Sequence, residues 1–362
     1  MIVLVLTRYS RMGASSRLRL LQYIDTWCGS NTVFRVEPLL GDAYLKRIYK
    51  GKRASRISLL RAYGKRLQLL LSAGKFDLVW IEKELFPNLP AWAEICLAHF
   101  KIPYVVDYDD AIFHNYDISP NPLKRLLKNK IKAVMNRAAL VTVGNSYLAR
   151  HAIDAGARLV EMVPTVIDLN RYPSPSSPTA GAPLVVGWIG SPSTVKFLAP
   201  LLPVMARVAD TVPIEFVIIG ANVDTATYPF ARSVVWQEAT EVAEVSKFDI
   251  GVMPLPDTAW ERGKCAYKLI QYMACGKAVI GSPVGMNIDV IEDGSNGFLA
   301  STDDAWYEAL MRLLTNQTLR NAMGCRGRQM VEQKYCLEVT GPKLLGSLRT
   351  VASNGKGIEC AV

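Results

Sequence analysis

The chain has 362 residues, of which 50% are hydrophobic and 20% are charged, and its formal net charge is +10. This balance excludes a wholly disordered chain, and the length predicts two domains that can each bury a core. Because no apolar run reaches the roughly 18 residues of a transmembrane helix, we expect no membrane span.

The N-terminus carries a short apolar run, 2–6, with no basic region before it and no cleavage site after it. This pattern predicts a buried first strand and not a signal peptide. The seven cysteines are scattered without a C-x-x-C pair and the three histidines lie far apart, so no structural zinc site is expected. Unclustered cysteines without an export signal predict reduced thiols in the cytoplasm.

In the first half of the chain, short apolar runs alternate with amphipathic segments. The strands predicted from these runs are 2–6, 32–36, 77–81, 104–106 and 140–143. The helices predicted between them are 16–27, 55–72, 89–100 and 123–137. Strands separated by helices in this way are typical of a parallel sheet with helices on both faces.

The composition changes at LNRYPSPSSPTAGAP, 169–183, which is rich in Pro, Ser, Gly and Ala and predicts an interdomain linker. The alternation then starts again, with strands at 184–189, 214–219, 233–236, 250–253, 278–281 and 297–299. The helices of this half are 198–208, 242–246, 264–273, 302–315 and 316–335. We therefore predict an α/β protein with two Rossmann-like, doubly wound parallel-sheet domains facing a cleft.

The predicted domains follow from this pattern. An N-terminal domain covers 1–168 and a C-terminal domain covers 184–335, joined by the linker 169–183. The remaining segment, 336–362, is predicted to be a C-terminal helix that packs back toward the N-terminal domain, followed by a tail.

Basic residues are concentrated in two windows that contain no acid, between Asp42 and Asp77 and between Asp117 and Asp154. Such patches favour lipid headgroups, nucleic acid or a phosphate-bearing substrate. Nucleic acid is not expected, because the patches lack interleaved aromatic residues and no DNA- or RNA-binding motif is present.

One of these windows contains a predicted amphipathic helix, 123–137, with leucine, isoleucine and valine on one side. The basic residues on its other side are Lys124, Arg125, Lys128 and Lys132. We predict that these four residues contact an anionic membrane surface. An ordinary surface helix with a buried apolar stripe explains the same pattern.

The first candidate site is RYSRMGASSRLR, directly after the first strand. Gly13 permits a tight turn and close backbone approach, and Ser15 and Ser16 are placed to cap a helix. Free N–H groups at that helix start, together with Arg17, predict contacts to the acceptor or to a phosphate. An ordinary strand–turn–helix junction is the alternative.

A second candidate lies in PYVVDYDDAIFH, where Asp107, Asp109 and Asp110 stand at the end of a buried strand. Acids at such a place are costly unless they are hydrogen-bonded or used in the reaction. The D-x-D spacing is also compatible with a metal site, and helix capping by Asp109 or Asp110 is the structural alternative.

The third candidate is GWIGSPSTVK, 187–196, where a strand ends at Gly190. Ser191 follows the turn and Lys196 lies in the first part of the next helix. A glycine turn before a helix, with a lysine close by, suits a diphosphate.

The segment 249–299 resembles the retaining glycosyltransferases of the GT-B fold, often called family 4 or group 1. The family pattern is a helix of the form E-A-M-A-C-G-x-P-V-I followed by E-x-G-x-N-G-x-L. Here YMACG at 272–276 and EDGSNG at 292–297 match it, and 140–146 with 163–168 is similar to an earlier family segment. The resemblance implies two domains, a nucleotide-sugar donor and phosphate binding without a cofactor or a metal.

The resemblance also implies roles for individual residues. The family has two glutamates eight residues apart, one toward the sugar and one toward the ribose, where this chain has Gly263 and Gln271. Gln271 is still able to hydrogen-bond a ribose, and Glu261 is the candidate replacement for the first acid.

The remaining charges at the site follow from the same resemblance. Ser191 stands at the position of a family arginine, while Lys196 keeps the family lysine. Lys264 and Lys268 are then expected to complete the diphosphate contacts, or else form a solvated helix face. Asp109 stands at the position where many family members have a histidine at the end of a strand. It is therefore a candidate catalytic residue.

The sequence thus predicts a glycosyltransferase that moves a sugar from a nucleotide-diphosphate sugar to a glycan or lipid-linked acceptor, in cell-surface polysaccharide synthesis. It is expected in the cytoplasm, peripheral at the inner face of the cell membrane. The alternatives are a sugar-nucleotide epimerase or hydrolase of the same fold, and a non-catalytic sugar-binding relative. The missing pair of glutamates motivates the last of these.

Overall fold

The computed structural model describes residues 1–27, 31–52, 55–172 and 183–356. These residues form two compact units: Met1–Thr165 together with the chain from Thr340 onward, and Val166–Val339. Each unit contains one six-stranded parallel sheet, which confirms the predicted fold class of two Rossmann-like domains. Most of the predicted linker, 173–182, lies outside the described residues.

The sheet of the N-terminal unit has the order β2-β1-β3-β4-β5-β6. Its strands are β1 Ile2–Leu6, β2 Val33–Val36, β3 Leu78–Glu82, β4 Tyr104–Tyr108, β5 Leu140–Val143 and β6 Val160–Met162. The strands β3, β4 and β5 are buried along their whole length, as expected for apolar runs covered by helices on both faces.

The helices of this unit occupy the connections between its strands. They are the helical segment 14–26, Asp42–Tyr49, Arg56–Leu70, Trp92–His99, Pro122–Arg125, Lys130–Arg137, Ser146–Asp154 and the C-terminal Leu337–Lys356, most of which belongs here. The C-terminal helix is held by a 3.1 Å hydrogen bond between the hydroxyls of Thr340 and Tyr23.

The sheet of the C-terminal unit has the order β12-β11-β10-β7-β8-β9. Its strands are β7 Leu184–Ile189, β8 Ile214–Ile219, β9 Ala231–Val234, β10 Ile250–Met253, β11 Ala278–Gly281 and β12 Gly297–Leu299. Its helices are Leu201–Ala209, Glu241–Val245, Tyr267–Ala274, Asn287–Val290, Asp303–Thr315 and Gln317–Lys334. Trp188, Phe216 and Leu310 are fully buried in the core between this sheet and its helices.

The predicted helix 123–137 is not continuous. The chain forms two helices here, Pro122–Arg125 and Lys130–Arg137, separated by a turn. Asn121 caps the first helix through its side chain, and Pro122 fits the first helical position. The helix Asp42–Tyr49, the helix Ser146–Asp154 and the strand β6 were not predicted.

None of the helices in the described part of the chain combines the length and the apolar character needed to cross a bilayer.

Candidate functional site

The strand order of each sheet points to one place where a ligand can bind. In the N-terminal unit the chain winds to opposite sides of β1, whose neighbours are β2 and β3. In the other unit the corresponding central strand is β7, between β8 and β10. Doubly wound sheets bind their ligands at the carboxyl ends of the strands beside this reversal. The loops after β1, β3, β7 and β10 therefore define the candidate sites.

The loop after β1 is fixed to the end of β3 by Ser16. The buried Ser16 hydroxyl donates to Glu82 Oε2 at 2.6 Å and accepts the backbone N–H of Tyr9 at 3.1 Å. Gly13 is needed because a Cβ there would lie 2.5 Å from the Cβ of Tyr9. Arg17 is buried and donates to the carbonyl of Arg11 at 3.3 Å.

The predicted capping role of Ser15 and Ser16 is wrong. The helix begins at Ala14 with Gly13 as its N-cap, so both serines lie inside the helical segment. The Ser15 hydroxyl instead accepts a hydrogen bond from Lys83 Nζ at 3.1 Å.

Lys83 brings the acidic cluster and the first loop together at the end of β3. Its buried ammonium lies 2.8 Å from Asp109 Oδ1 and 3.4 Å from Asp110 Oδ2. Its backbone φ of 64° is in the left-handed region that residues with a side chain rarely adopt. Such conformations persist where the surrounding contacts over-determine them, and they concentrate at functional sites.

These contacts set the protonation of Asp109. Burial alone would raise the pKa of Asp109, but the Lys83 ammonium and the Arg19 guanidinium outweigh it and lower the pKa to about 2. Burial would lower the pKa of Lys83, yet Asp109 and Asp110 raise it above its usual range. Asp109 is therefore a carboxylate and Lys83 an ammonium at neutral pH.

Asp107 differs from its two neighbours, because it lies within β4 and binds Arg19. Arg19 Nε and Nη2 donate to the two Asp107 oxygens at 2.9 and 2.7 Å, and Thr142 Oγ1 donates to Asp107 Oδ1 at 2.6 Å. Arg19 also donates to the carbonyl of Val163 at 2.7 Å. This buried, bidentate ion pair connects the first helix with β4 and β5.

In the C-terminal unit, the Trp188 ring joins the turn after β7 to the helix Tyr267–Ala274. A Cβ at Gly190 would lie 2.2 Å from the Trp188 ring. The Lys268 ammonium lies 4.1 Å from the centre of the same ring. Burial, and secondarily the charge of Lys264, lower the pKa of Lys268 to about 7. The predicted residues Gly190, Lys264 and Lys268 are thus close together.

Lys268 belongs to a helix that starts at a strained residue. Ala266, the N-cap, has a φ of 50°, and the helix begins at Tyr267. Its N-terminus and the two lysines form a positively charged end, which suits an anion.

Ser191 and Lys196 lie beyond the same turn. The backbone N–H of Ser191 donates to Thr194 Oγ1 at 3.0 Å, and the Ser191 hydroxyl lies 2.8 Å from that of Ser193. Lys196 is exposed, with its ammonium 5.2 Å from the centre of the Phe197 ring.

Two further predicted site residues are buried. Glu261 accepts a short hydrogen bond from the Thr258 hydroxyl. The Gln271 amide donates to Glu241 Oε1 at 2.9 Å and to the Tyr172 hydroxyl at 3.2 Å. Trp236 Nε1 donates to the other oxygen of Glu241 at 2.6 Å. Gln271 is therefore part of an internal polar network.

Sequence reasoning missed Lys83 and Glu241. The triplet EKE, 82–84, follows a buried strand just as the acids 107–110 do, so the same argument was available for Lys83. Glu241 has no such pattern, since its position depends on the packing of a short helix.

The four predicted membrane residues lie at the surface. Arg125, Lys128 and Lys132 are exposed and Lys124 is half-buried, in or next to the two short helices. Two other basic residues of the acid-free windows are not at the surface. Lys130 binds Glu84 and the carbonyl of Phe86, both at 2.6 Å, and Arg66 donates to the carbonyl of Thr7 at 2.9 Å.

Comparison with known proteins gives a family match for part of the C-terminal unit and gives the fold of both units. Residues 183–316 match the family model "Glycosyl transferases group 1". No curated protein sequence matches the chain.

The solved structures cover both units. Sucrose-phosphate synthase from Thermosynechococcus elongatus has a TM-score of 0.73 at 13% identity, over 98% of this chain and 100% of its own. A glycosyltransferase from Rickettsia africae has a TM-score of 0.70 at 11% identity, over 98% and 99%. HepE from Anabaena, solved with UDP-glucose, has a TM-score of 0.69 at 14% identity, over 97% and 100%.

The family match lies in the unit that carries Gly190, Lys264 and Lys268, and the structural matches extend over nearly the whole chain. Residues 183–316 are therefore similar to the group 1 glycosyl transferases, and the solved structures show that the two units have the GT-B fold.

Proposed function

We propose that this protein transfers a sugar, with retention at the anomeric carbon, from a nucleotide-diphosphate sugar to a glycan or lipid-linked acceptor in cell-surface polysaccharide synthesis. One observation carries the proposal. Lys264, Lys268 and the turn at Gly190 converge at the strand reversal of the unit that matches the family model.

The C-terminal unit supplies the donor contacts in this proposal. The diphosphate binds Lys264, Lys268 and the N-terminus of the helix Tyr267–Ala274. Lys196, which is exposed, is the third cation. When the bond between the anomeric carbon and the diphosphate oxygen breaks, negative charge develops on the diphosphate, and these cations stabilise it. The acceptor hydroxyl bonds to the anomeric carbon, and its proton passes to the leaving phosphate.

We assign Asp109 as the carboxylate that stabilises the positive charge developing on the sugar during transfer. Its low pKa keeps it ionised, as an oxocarbenium-like state requires. Glu261 is the proposed second acid, although the structure gives it a hydrogen bond to Thr258. Ser15 and Arg17 are placed at the loop that we assign to the acceptor or to a phosphate.

We further propose that the reaction needs no metal. The carboxylates of the acidic cluster already bind cations of the protein, Asp107 through Arg19 and the other two through Lys83. Full activity in a chelator is expected. Loss of activity that Mn²⁺ or Mg²⁺ restores would contradict this.

The test of transfer uses radiolabelled nucleotide sugars with membrane lipid extract and soluble glycans as acceptors. UDP-glucose is the first donor to try, because HepE has been solved with it. Transfer to an acceptor supports the proposal. Release of free sugar, an isomerised donor or no change would favour the hydrolase, the epimerase or the non-catalytic relative.

The donor site has its own test. Lys196→Ala and Lys264→Ala are each expected to lower transfer about tenfold to a thousandfold, the cost of removing one charge-stabilising donor. Lys247→Ala, which removes a lysine from an exposed ion pair, is the matched control and is expected to change little. Full activity and unchanged donor affinity in both site variants would refute the assignment.

We also propose that the N-terminal unit attaches to the inner face of the cell membrane through Lys124, Arg125, Lys128 and Lys132. Each basic residue near an anionic leaflet contributes about 1 kcal/mol. Co-sedimentation with anionic vesicles is expected to weaken with salt and to fall when all four are changed to Glu. Equal binding to neutral vesicles would contradict this.

A further inference from the structure

The helix Arg56–Leu70 has an exposed apolar stripe that nothing in the described part of the chain covers. We define this stripe as Ile57, Leu60, Leu67 and Leu71, which are 63%, 72%, 43% and 83% exposed. With the exposed Gly64 between them, these positions follow each other at alternating spacings of three and four residues. That repeat places them on one face of the helix.

A different side of the helix, centred near the buried Arg66, fixes it to the protein. The Tyr63 hydroxyl donates to the carbonyl of Pro87 at 2.7 Å, its ring packs edge-on against Phe86, and Arg66 is buried. The helix is therefore anchored through one face, and the apolar stripe points away from the core.

The charges beside the stripe select its partner. At 3.6 residues per turn, Arg56 and Arg61 flank the stripe on its two sides, and both are exposed. Two copies of such a helix would repel each other, whereas an anionic surface attracts both arginines. When an apolar stripe enters a bilayer, arginine side chains beside it can extend so that their charged groups stay among the lipid headgroups.

A second exposed patch of apolar and basic side chains lies in the same unit. The loop that accepts the Tyr63 hydrogen bond also accepts Lys130, at the carbonyl of Phe86. Next to Lys130 in sequence, Leu123 and Leu126 are exposed among Lys124, Arg125 and Lys128. Through Tyr63 and Lys130, the helices Arg56–Leu70 and Lys130–Arg137 thus contact one loop, which directly follows β3 and begins at Lys83.

We propose that the apolar stripe inserts into the headgroup region of an anionic bilayer, so that attachment has an apolar part in addition to an electrostatic part. The inference rests on the proposed membrane attachment and deepens it. It makes a separate claim, because the proposed basic residues alone would give binding that salt abolishes.

The experiment is co-sedimentation of the full chain with vesicles of phosphatidylcholine, and of phosphatidylcholine and phosphatidylglycerol in equal parts, at low and high salt. The test variant is Leu60→Ser with Leu71→Ser. The matched control is Ile153→Ser with Leu159→Ser, which removes two exposed apolar side chains elsewhere in the same unit. Circular dichroism and the melting temperature confirm that all chains are folded.

We expect the unaltered chain and the control to keep part of their binding to the anionic vesicles at high salt. The stripe variant is expected to lose that part and to bind more weakly by about a hundredfold or more, from the burial of two leucine side chains.

Three results would overturn the inference. If the stripe variant binds as the control does while the four-Glu variant loses binding, the attachment is electrostatic only. If the unaltered chain binds no anionic vesicles, the proposed attachment fails as well. If sedimentation without vesicles shows a dimer that only the stripe variant converts to monomers, the stripe binds a second copy.

Discussion

Single residues at the end of β3 set the charge of the candidate catalytic carboxylate. Lys83 contacts residues 68 and 27 positions away in sequence, Ser15 and Asp110, as well as Asp109. A lysine that holds Asp109 ionised is a positioning residue in the proposed reaction.

Lys83→Met is expected to raise the pKa of Asp109, because burial still opposes its charge when the ammonium is gone. Sugar transfer then requires a higher pH, and the acid limb of the plot of kcat against pH moves to higher pH. Lys83→Arg keeps the positive charge and the same non-glycine backbone strain, so it is expected to restore the profile. A folded Lys83→Met enzyme with an unmoved acid limb would show that Lys83 has only a structural role.

If the donor diphosphate binds Lys268 as we propose, the lowered pKa of this lysine, about 7, makes donor binding depend on pH. A bound diphosphate stabilises the ammonium and raises this pKa, so binding takes up a fraction of a proton near neutral pH. Affinity is therefore expected to fall as the pH rises from about 6 to about 8, where the free lysine loses its proton.

Isothermal titration of nucleoside diphosphate in two buffers of different ionisation enthalpy measures this uptake. Lys268→Arg stays charged throughout and is expected to remove the pH dependence. Binding at neutral pH without proton uptake would place the diphosphate away from Lys268.

At the scale of secondary-structure elements, packing of β10 positions the helix that carries Lys268, one of the proposed donor lysines. Gly251 in β10 leaves space for the Tyr272 ring, and a Cβ at Gly251 would lie 2.2 Å from that ring. The Tyr272 hydroxyl accepts the backbone N–H of Ile189 at 3.0 Å, at the end of β7. The strand ends and the helix Tyr267–Ala274 thus share one contact.

Gly251→Ala is expected to destabilise the protein by about 1–3 kcal/mol, the usual cost of overpacking a core, and to weaken donor binding by moving this helix. Gly346→Ala is the control, because nothing lies within 4 Å of its Cβ position in the helix Leu337–Lys356. That change is expected to be neutral or stabilising by about 0.5–1 kcal/mol. Chemical denaturation measures both, and equal effects would mean that the space at Gly251 is not filled by Tyr272.

The elements predictable from sequence are those whose residues face a core. The strands β1, β3, β4 and β5 were predicted because continuous apolar runs are buried on both faces. The predicted helix 123–137 was wrong because a second helix starts at Lys130, which pairs with Glu84 across the fold. The closeness of Lys264 and Lys268 was predictable from their local spacing, whereas Gln271's partners Glu241 and Tyr172 were not.

At the scale of the whole molecule, the proposed binding surfaces belong to different units. The proposed donor residues Gly190, Lys264 and Lys268 lie in Val166–Val339, and the apolar stripe lies in the unit that begins at Met1. Each unit has its own sheet and its own buried core. A ligand of one unit is therefore expected to protect the backbone of that unit first.

Hydrogen exchange of the full chain tests this separation. UDP is expected to slow exchange in 190–198 and 261–271, since ordering of the turn after β7 and of the helix start suppresses local opening. It should leave 56–71 unchanged. Anionic vesicles are expected to do the reverse, because insertion of the apolar stripe restrains the helix Arg56–Leu70 and not the donor loops. Leu60→Ser with Leu71→Ser should then lose the vesicle effect and keep the UDP effect. Protection of 56–71 by UDP alone would show that donor binding reaches the N-terminal unit, and the assignment of the two ligands to separate units would be wrong.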